Sequence, residues 1–165
     1  MKKFTFLLLT SRYTDPMTIT STAFQDGEEI PAEYGYDGRN VNPPLTFSEV
    51  PVEAKSLVLI VEDPDAPGGV FAHWILYNIS PATLQIMEGA LPLGAAQATN
   101  DFGVQGYGGP KPPPGKPHRY VFKLFALGTT LPDVRPEDRR SEIYTLMADR
   151  TIGQAELTGT YATQA

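Results

Sequence analysis

The chain alternates apolar runs with stretches dense in proline, glycine and acidic residues, and that rhythm predicts strands joined by shaped loops. In "KSLVLIVED" the run from Ser56 to Val61 carries β-branched members, the pattern of a strand buried on both faces. "VFAHWILYNI" reads the same way. On a regular strand, Phe71, His73, Ile75 and Tyr77 share one face, and Ala72, Trp74, Leu76 and Asn78 share the other. A third strand is expected in "HRYVFKLFAL", with His118, Tyr120, Phe122 and Leu124 on one face and Arg119, Val121, Lys123 and Phe125 on the other.

The segments between these runs read as loops. "DGEEIPAEYGYDGRNVNPPL" is an irregular excursion held by turns, and the chain from Met87 to Pro117 ends in "GYGGPKPPPGKPH", where proline removes ladder donors. One helix is expected. It begins near Pro136, a residue suited to the first helical position, with Glu137 and Asp138 at the positive end of the dipole. Ile143, Leu146 and Met147 supply its apolar stripe, and Gly153 weakens its end. "AELTGTY" then reads as a closing strand with Ala155, Leu157 and Gly159 on one face.

Composition narrows the class. At 165 residues and 41% apolar content the chain suits one domain, and 16 prolines, eight tyrosines and eight phenylalanines favour a mainly β fold over a bundle. Thirteen basic against 19 acidic residues, a net charge of -6, argues against a nucleic-acid backbone or an anionic membrane as partner, so any anion site must be local. The absence of cysteine excludes disulfides, thiolate zinc and cysteine nucleophiles, and a cytoplasmic address is expected. The opening "MKKFTFLLLTSRYTDPM" has a weak likeness to a signal peptide, but Arg12 and Asp15 interrupt it and its apolar run is far short of the ~20 residues of a membrane span. An extra strand or an arm is the expectation for it.

The only two histidines lie in or at the mouths of buried strands, each adjoined by a proline-rich loop, "DPDAP" for one and "PKPPPGKP" for the other. If those strands are neighbours, His73 and His118 meet at one end of the sheet, with a DPDAP carboxylate and the Tyr120 hydroxyl beside them. Imidazole N–H and phenol O–H donors converging on one small cavity suit a phosphate, sulfate or carboxylate group, and a nearby aspartate fixes an imidazole's tautomer and favours its charged form. The competing readings are ordinary. A lone buried histidine is usually satisfied by a backbone carbonyl, one of Asp63 and Asp65 is expected only to close an Asx turn, and "PKPPPGKP" could serve another domain as a polyproline ligand. Two histidines without an HxH or HxxxH pairing make no metal site, and no Walker loop, GxGxxG or GxSxG appears, so no metal and no cofactor are expected.

These residues carry a family resemblance. "AFQDGEEIPAEYGYDGRNVNPPLTF", "LVLIVEDPDAPGGVFAHWILYNI" with its DPDxP motif, "NDFGVQGYGGPKPPPGKPHRYVFKLFAL" with its proline loop and HRY motif, and "AELTGTY" together resemble the phosphatidylethanolamine-binding proteins, or Raf kinase inhibitor-like proteins, in their bacterial and archaeal form. The resemblance runs from Met17 onward, which divides the chain into an extension at 1–16, expected to be dispensable for the fold, and a single domain at 17–165. It implies a β-sandwich with a central antiparallel sheet, one or two short helices and a small pocket for phosphate-like anions. By motif position the pocket residues are Asp63, Pro67, His73, Pro112, Pro113, His118 and Tyr120. The chain departs from the family pattern at "PGKPHR", which is one residue shorter than the common bacterial form, where Lys116 or Lys111 could add positive charge at the mouth.

The expected function is therefore a small binding protein, not an enzyme, that captures an anionic head group and could regulate or inhibit a protein partner. The resemblance is also compatible with a homodimer. The alternatives are an ester or phosphoester hydrolase using the same His/Asp cluster, and a pure protein-interaction module.

Overall fold

The computed structural model describes residues 15–164, so the expected extension at 1–16 lies almost wholly outside the described residues. The described residues form strands β1 (Thr18–Thr20), β2 (Leu45–Ser48), β3 (Ser56–Asp63), β4 (Phe71–Ile79), β5 (Gln85–Ile86), β6 (Ala96–Gln97), β7 (His118–Leu127) and β8 (Thr151–Tyr161), with one α-helix, α1 (Arg140–Met147), and a 3₁₀ turn at Ala32–Tyr34. The mainly β expectation holds. Two antiparallel sheets form, one ordered β1-β2-β5 and the other β6-β4-β3-β7-β8.

Strand β3 is buried along its whole length, as its apolar run requires, and it divides its side chains between two cores. Leu57, Leu59 and Val61 face a core shared with Ile19, Leu45 and Phe47 of the small sheet, which makes the molecule a sandwich. Val58 and Ile60 face a second core closed by Ile143 and Met147 of α1. The faces expected for β7 are also observed, with Tyr120, Phe122 and Leu124 in the first core and Phe125 in the second.

Three local expectations need correction. The face assignment for β4 fails beyond His73, because Trp74 and Leu76 join the first core while Ala72, Ile75 and Tyr77 join the second. The cause is a bulge. Val61 pairs with Trp74 and Glu62 with Ala72, so His73 is the extra residue in the ladder and alternation restarts behind it. The helix starts at Arg140 rather than near Pro136, because Asp138 closes a turn by accepting the Arg135 amide and Glu142 then takes the Arg139 amide at the first turn. Gly153 does not belong to the helix end. The chain turns at Asp149, which has φ 61, and Gly153 already lies in β8.

Candidate functional site

The two histidine-bearing strands are not neighbours, which corrects the simplest version of the expected geometry. Strand β3 lies between β4 and β7, and its last residue, Asp63, is what connects them. Asp63 follows Val61 by two positions and shares its face, which is also the face of Tyr120, so the carboxylate reaches the same end of the sheet as the two imidazoles. A cavity of about 260 Å³ opens there. Asp63, His73, His118 and Tyr120 form its polar part, and Pro67, Pro112 and Pro113 stand in its walls, so all seven residues selected from the sequence converge on it.

The hydrogen bonds divide labour between the two aspartates. Asp63 accepts the Asp65 amide at 2.7 Å with Oδ1, the expected Asx turn, and holds His118 Nδ1 at 2.7 Å with Oδ2. Asp65 turns outward and receives the Arg119 amide at 2.8 Å and its guanidinium at 3.0 and 2.9 Å. Neither carboxylate is confined to capping a turn. Arg119 holds the Asp65 carboxyl down at about 2 through those side-chain and backbone bonds. The Asp63 and His118 side chains are only 4% and 12% exposed, so their pair is a partly desolvated one rather than a surface contact.

His73 is fixed differently. Its Nδ1 lies 2.7 Å from the Gly108 carbonyl, and the loop is tied back by the Gly108 amide donating to the His73 carbonyl at 2.9 Å. The backbone-satisfied alternative is thus true of one ring nitrogen. The bulge explains why this ring is available at all, since it lets His73 and Trp74 follow one another on the same side of the sheet. Phe71, Phe102 and Tyr120 surround the imidazole, with ring centroids 5.0, 5.3 and 5.1 Å away. Burial pushes the imidazole below its ordinary value, against the opposing pull of Gly108 and Asp63.

Tyr120 is 1% exposed, and among the described residues its hydroxyl is the one buried side-chain polar atom that makes no hydrogen bond. Burial and the Asp63 carboxylate push its phenol well above the ordinary range, so it remains an O–H donor. A buried donor without a protein partner costs on the order of 1–3 kcal/mol.

Sequence reasoning missed Ala66, Phe71 and Phe102 in the lining, while Lys111, one of the two lysines expected at the mouth, is part of it. Phe71 was readable, because it shares the expected face of His73. Phe102 lies in a loop with no periodicity to expose it. Lys111 reaches the rim, yet its ammonium sits 3.4 Å from Asp37 and 4.4 Å over the Tyr36 ring. Lys116 is exposed and outside the lining. A larger concavity, about 440 Å³, lies between Met17, Pro51 and Gln154, but its carboxylates at Glu49 and Glu53 are solvent-exposed. No group of three potential metal ligands and no helix long and apolar enough to cross a membrane occurs among the described residues.

Residues 20–162 match the family model described as phosphatidylethanolamine-binding protein. Over 150 residues the chain is 44% identical to a UPF0098 protein of Methanothermobacter thermautotrophicus, covering 88% of this chain and 98% of that one. A UPF0098 protein of Aquifex aeolicus is 41% identical over 150 residues, covering 88% of each chain. Among solved structures, the phosphatidylethanolamine-binding protein homolog CT736 from Chlamydia trachomatis superposes with a TM-score of 0.85 at 44% identity, covering 90% of this chain and 99% of that one. E. coli YbcL, described as a member of the mammalian PEBP family, gives a TM-score of 0.86 at 34% identity, covering 91% and 100%.

Proposed function

Because the chain belongs to the phosphatidylethanolamine-binding protein family, we propose that it is a binding protein, not an enzyme, that captures a phosphate-like anionic group in the cavity at the end of β3, β4 and β7. The observation that carries this reading is the buried, unpaired hydroxyl of Tyr120 beside the Asp63–His118 pair. An oxyanion would accept that O–H and, on its other side, the outward nitrogen of a His118 imidazolium whose Nδ1 is already committed to Asp63. Pro67, Pro112 and Pro113 keep the walls in place before the ligand arrives, which limits the ordering cost of binding. A phosphorylated group on a partner protein would present the same chemistry, and through it the protein would act as a regulator.

Capture of this kind depends on the charged form of His118, because the neutral ring with its hydrogen on Nδ1 would present a lone pair to the ligand instead of an N–H. Calorimetric titration of inorganic phosphate and phosphoethanolamine at about pH 6 and about pH 8 tests it, with His118→Ala alongside. Heat at the lower pH that His118→Ala abolishes is the expected result. No heat with either ligand would sink the reading, and hydrolysis of a chromogenic phosphoester that His118→Ala removes would replace it with an enzymatic one.

A further inference from the structure

We infer that the pocket recognises its oxyanion by a proton that the ligand itself carries: it takes a phosphate monoester in the singly protonated form, whose P–O–H donates to Nε2 of His73. This rests on the anion-capture reading above and specifies the ligand class within it.

The tautomer of His73 is the starting point. A carbonyl oxygen can only accept, so the 2.7 Å contact with Gly108 places a hydrogen on Nδ1 and leaves Nε2 of the neutral ring as a lone pair. The loop cannot easily release that contact. The His73 carbonyl receives both the Gly108 amide and Asn100 Nδ2, and the Gly109 amide is held by Asn40 Oδ1 at 2.7 Å. Three aromatic rings around a 4% exposed imidazole oppose a second proton on it. His73 therefore presents an acceptor to the cavity, not the N–H donor expected from the sequence, and no described residue supplies a donor to it.

The polar part of the cavity is consequently mixed. Tyr120 offers an unpaired O–H, His118 offers an N–H when charged, and His73 asks for a hydrogen. A bare oxyanion satisfies the first two and leaves the third facing a lone pair with another lone pair. The charge count points the same way. Asp63 is buried in the lining, and its charge is matched by His118 alone. The other charged groups nearby are committed elsewhere, Lys111 to Asp37, Asp65 to Arg119, and Asp101 to the Ala72 amide and Arg139. A dianion would add two negative charges beside one carboxylate, whereas a monoanion carrying a proton adds one and fills the His73 acceptor. Sulfate esters and phosphate diesters are also monoanions but have no proton to give. An intact phospholipid, being a diester, is by this argument the wrong head group for this member, and a monoester the right one.

A charge-matched ligand series on the full-length protein tests the inference. At about pH 5.5, below the second phosphate pKa of ~6, phenyl phosphate, phenyl sulfate and methyl phenyl phosphate all carry close to a single negative charge, and only the first retains a proton. The expected calorimetric result is phenyl phosphate bound at least about tenfold more tightly than either of the others, the order of effect of one hydrogen bond to a buried acceptor. Phenyl sulfate bound within about threefold of phenyl phosphate would overturn the inference while leaving anion capture intact. No binding of any of the three would overturn anion capture itself. In parallel, ¹⁵N spectra of the free protein should show Nε2 of His73 unprotonated under the conditions of the titration, and a hydrogen found on that nitrogen there would also refute the scheme.

Discussion

Asp63 holds Nδ1 of His118 at 2.7 Å with one carboxylate oxygen while its other oxygen accepts the Asp65 amide at the same distance. The residue at the end of the central strand thus closes the DPDAP turn and orients an imidazole at once. Both tasks are consequences of its being the last member of a buried strand, where the ladder to β7 ends and its two oxygens are free to take partners from the loop and from β7.

The unpaired hydroxyl of Tyr120 separates stability from binding. Tyr120→Phe keeps the ring contacts with His73 and Tyr161 and removes a buried donor that the fold does not use. The expected outcome is an unfolding free energy unchanged or raised by up to about 1 kcal/mol, with phosphate affinity reduced about tenfold. Urea unfolding and calorimetry on the same preparation check both halves.

Arg119 and Asp65 predict an acid-range effect. The Asp65 carboxyl is held at about 2, below its ordinary 3.8, so its contribution is complete above the ordinary value and is lost as pH falls through about 2. The pair is largely exposed and screened by solvent, so Arg119→Ala should lower stability only slightly at neutral pH. That difference from the parent protein should shrink steadily between about pH 4 and pH 2 in acid-unfolding curves.

Glu62 anchors the helix to the sheet from the opposite face. Its carboxylate is 2% exposed and receives Lys123 at 2.6 Å, Tyr144 at 3.0 Å and the Arg140 guanidinium. Burial raises its pKa, but Lys123 and Arg140 outweigh burial and hold it below the ordinary value, so this contribution too is present above the carboxylate range and lost below it. Glu62→Ala leaves two cations facing a partly buried void and should cost about 3–5 kcal/mol in denaturant unfolding at neutral pH.

Gly109 has no room for a side chain. A Cβ there would collide with the Tyr34 carbonyl and the Gly35 and Tyr36 backbone, all main-chain atoms that cannot swing aside. Gly109→Ala should therefore shift the loop that carries Gly108, destabilise the fold by about 1–3 kcal/mol and loosen the contact that fixes His73. A changed ¹⁵N tautomer signal from His73 together with a lowered urea midpoint is the expected signature.

The seven pocket positions were legible through the family resemblance of their motifs, whereas strand alternation alone placed only His118 with Tyr120. Other parts were hidden for specific reasons. Phe102 contributes through a loop whose path depends on Asn100 capping it, with the Phe102 and Val104 amides both donated to Asn100 Oδ1. Glu62 directly follows the apolar run that ends at Val61, and Arg140 and Tyr144, among the partners that a buried carboxylate needs there, come from a helix far along the chain. The acceptor character of His73 depended on a carbonyl 35 residues away.

What the sequence by itself determined is the set of buried strands, the two faces of β7 and with them the placing of His118 with Tyr120, because burial and side-chain alternation are properties of a single regular segment. What the tertiary structure decided is the order of the strands, the bulge at His73 and the bonding state of each imidazole. Those depend on which strand lies alongside and which carbonyl or carboxylate it brings. Register and partner choice are pairwise quantities, and no pattern within one strand encodes the other member of the pair.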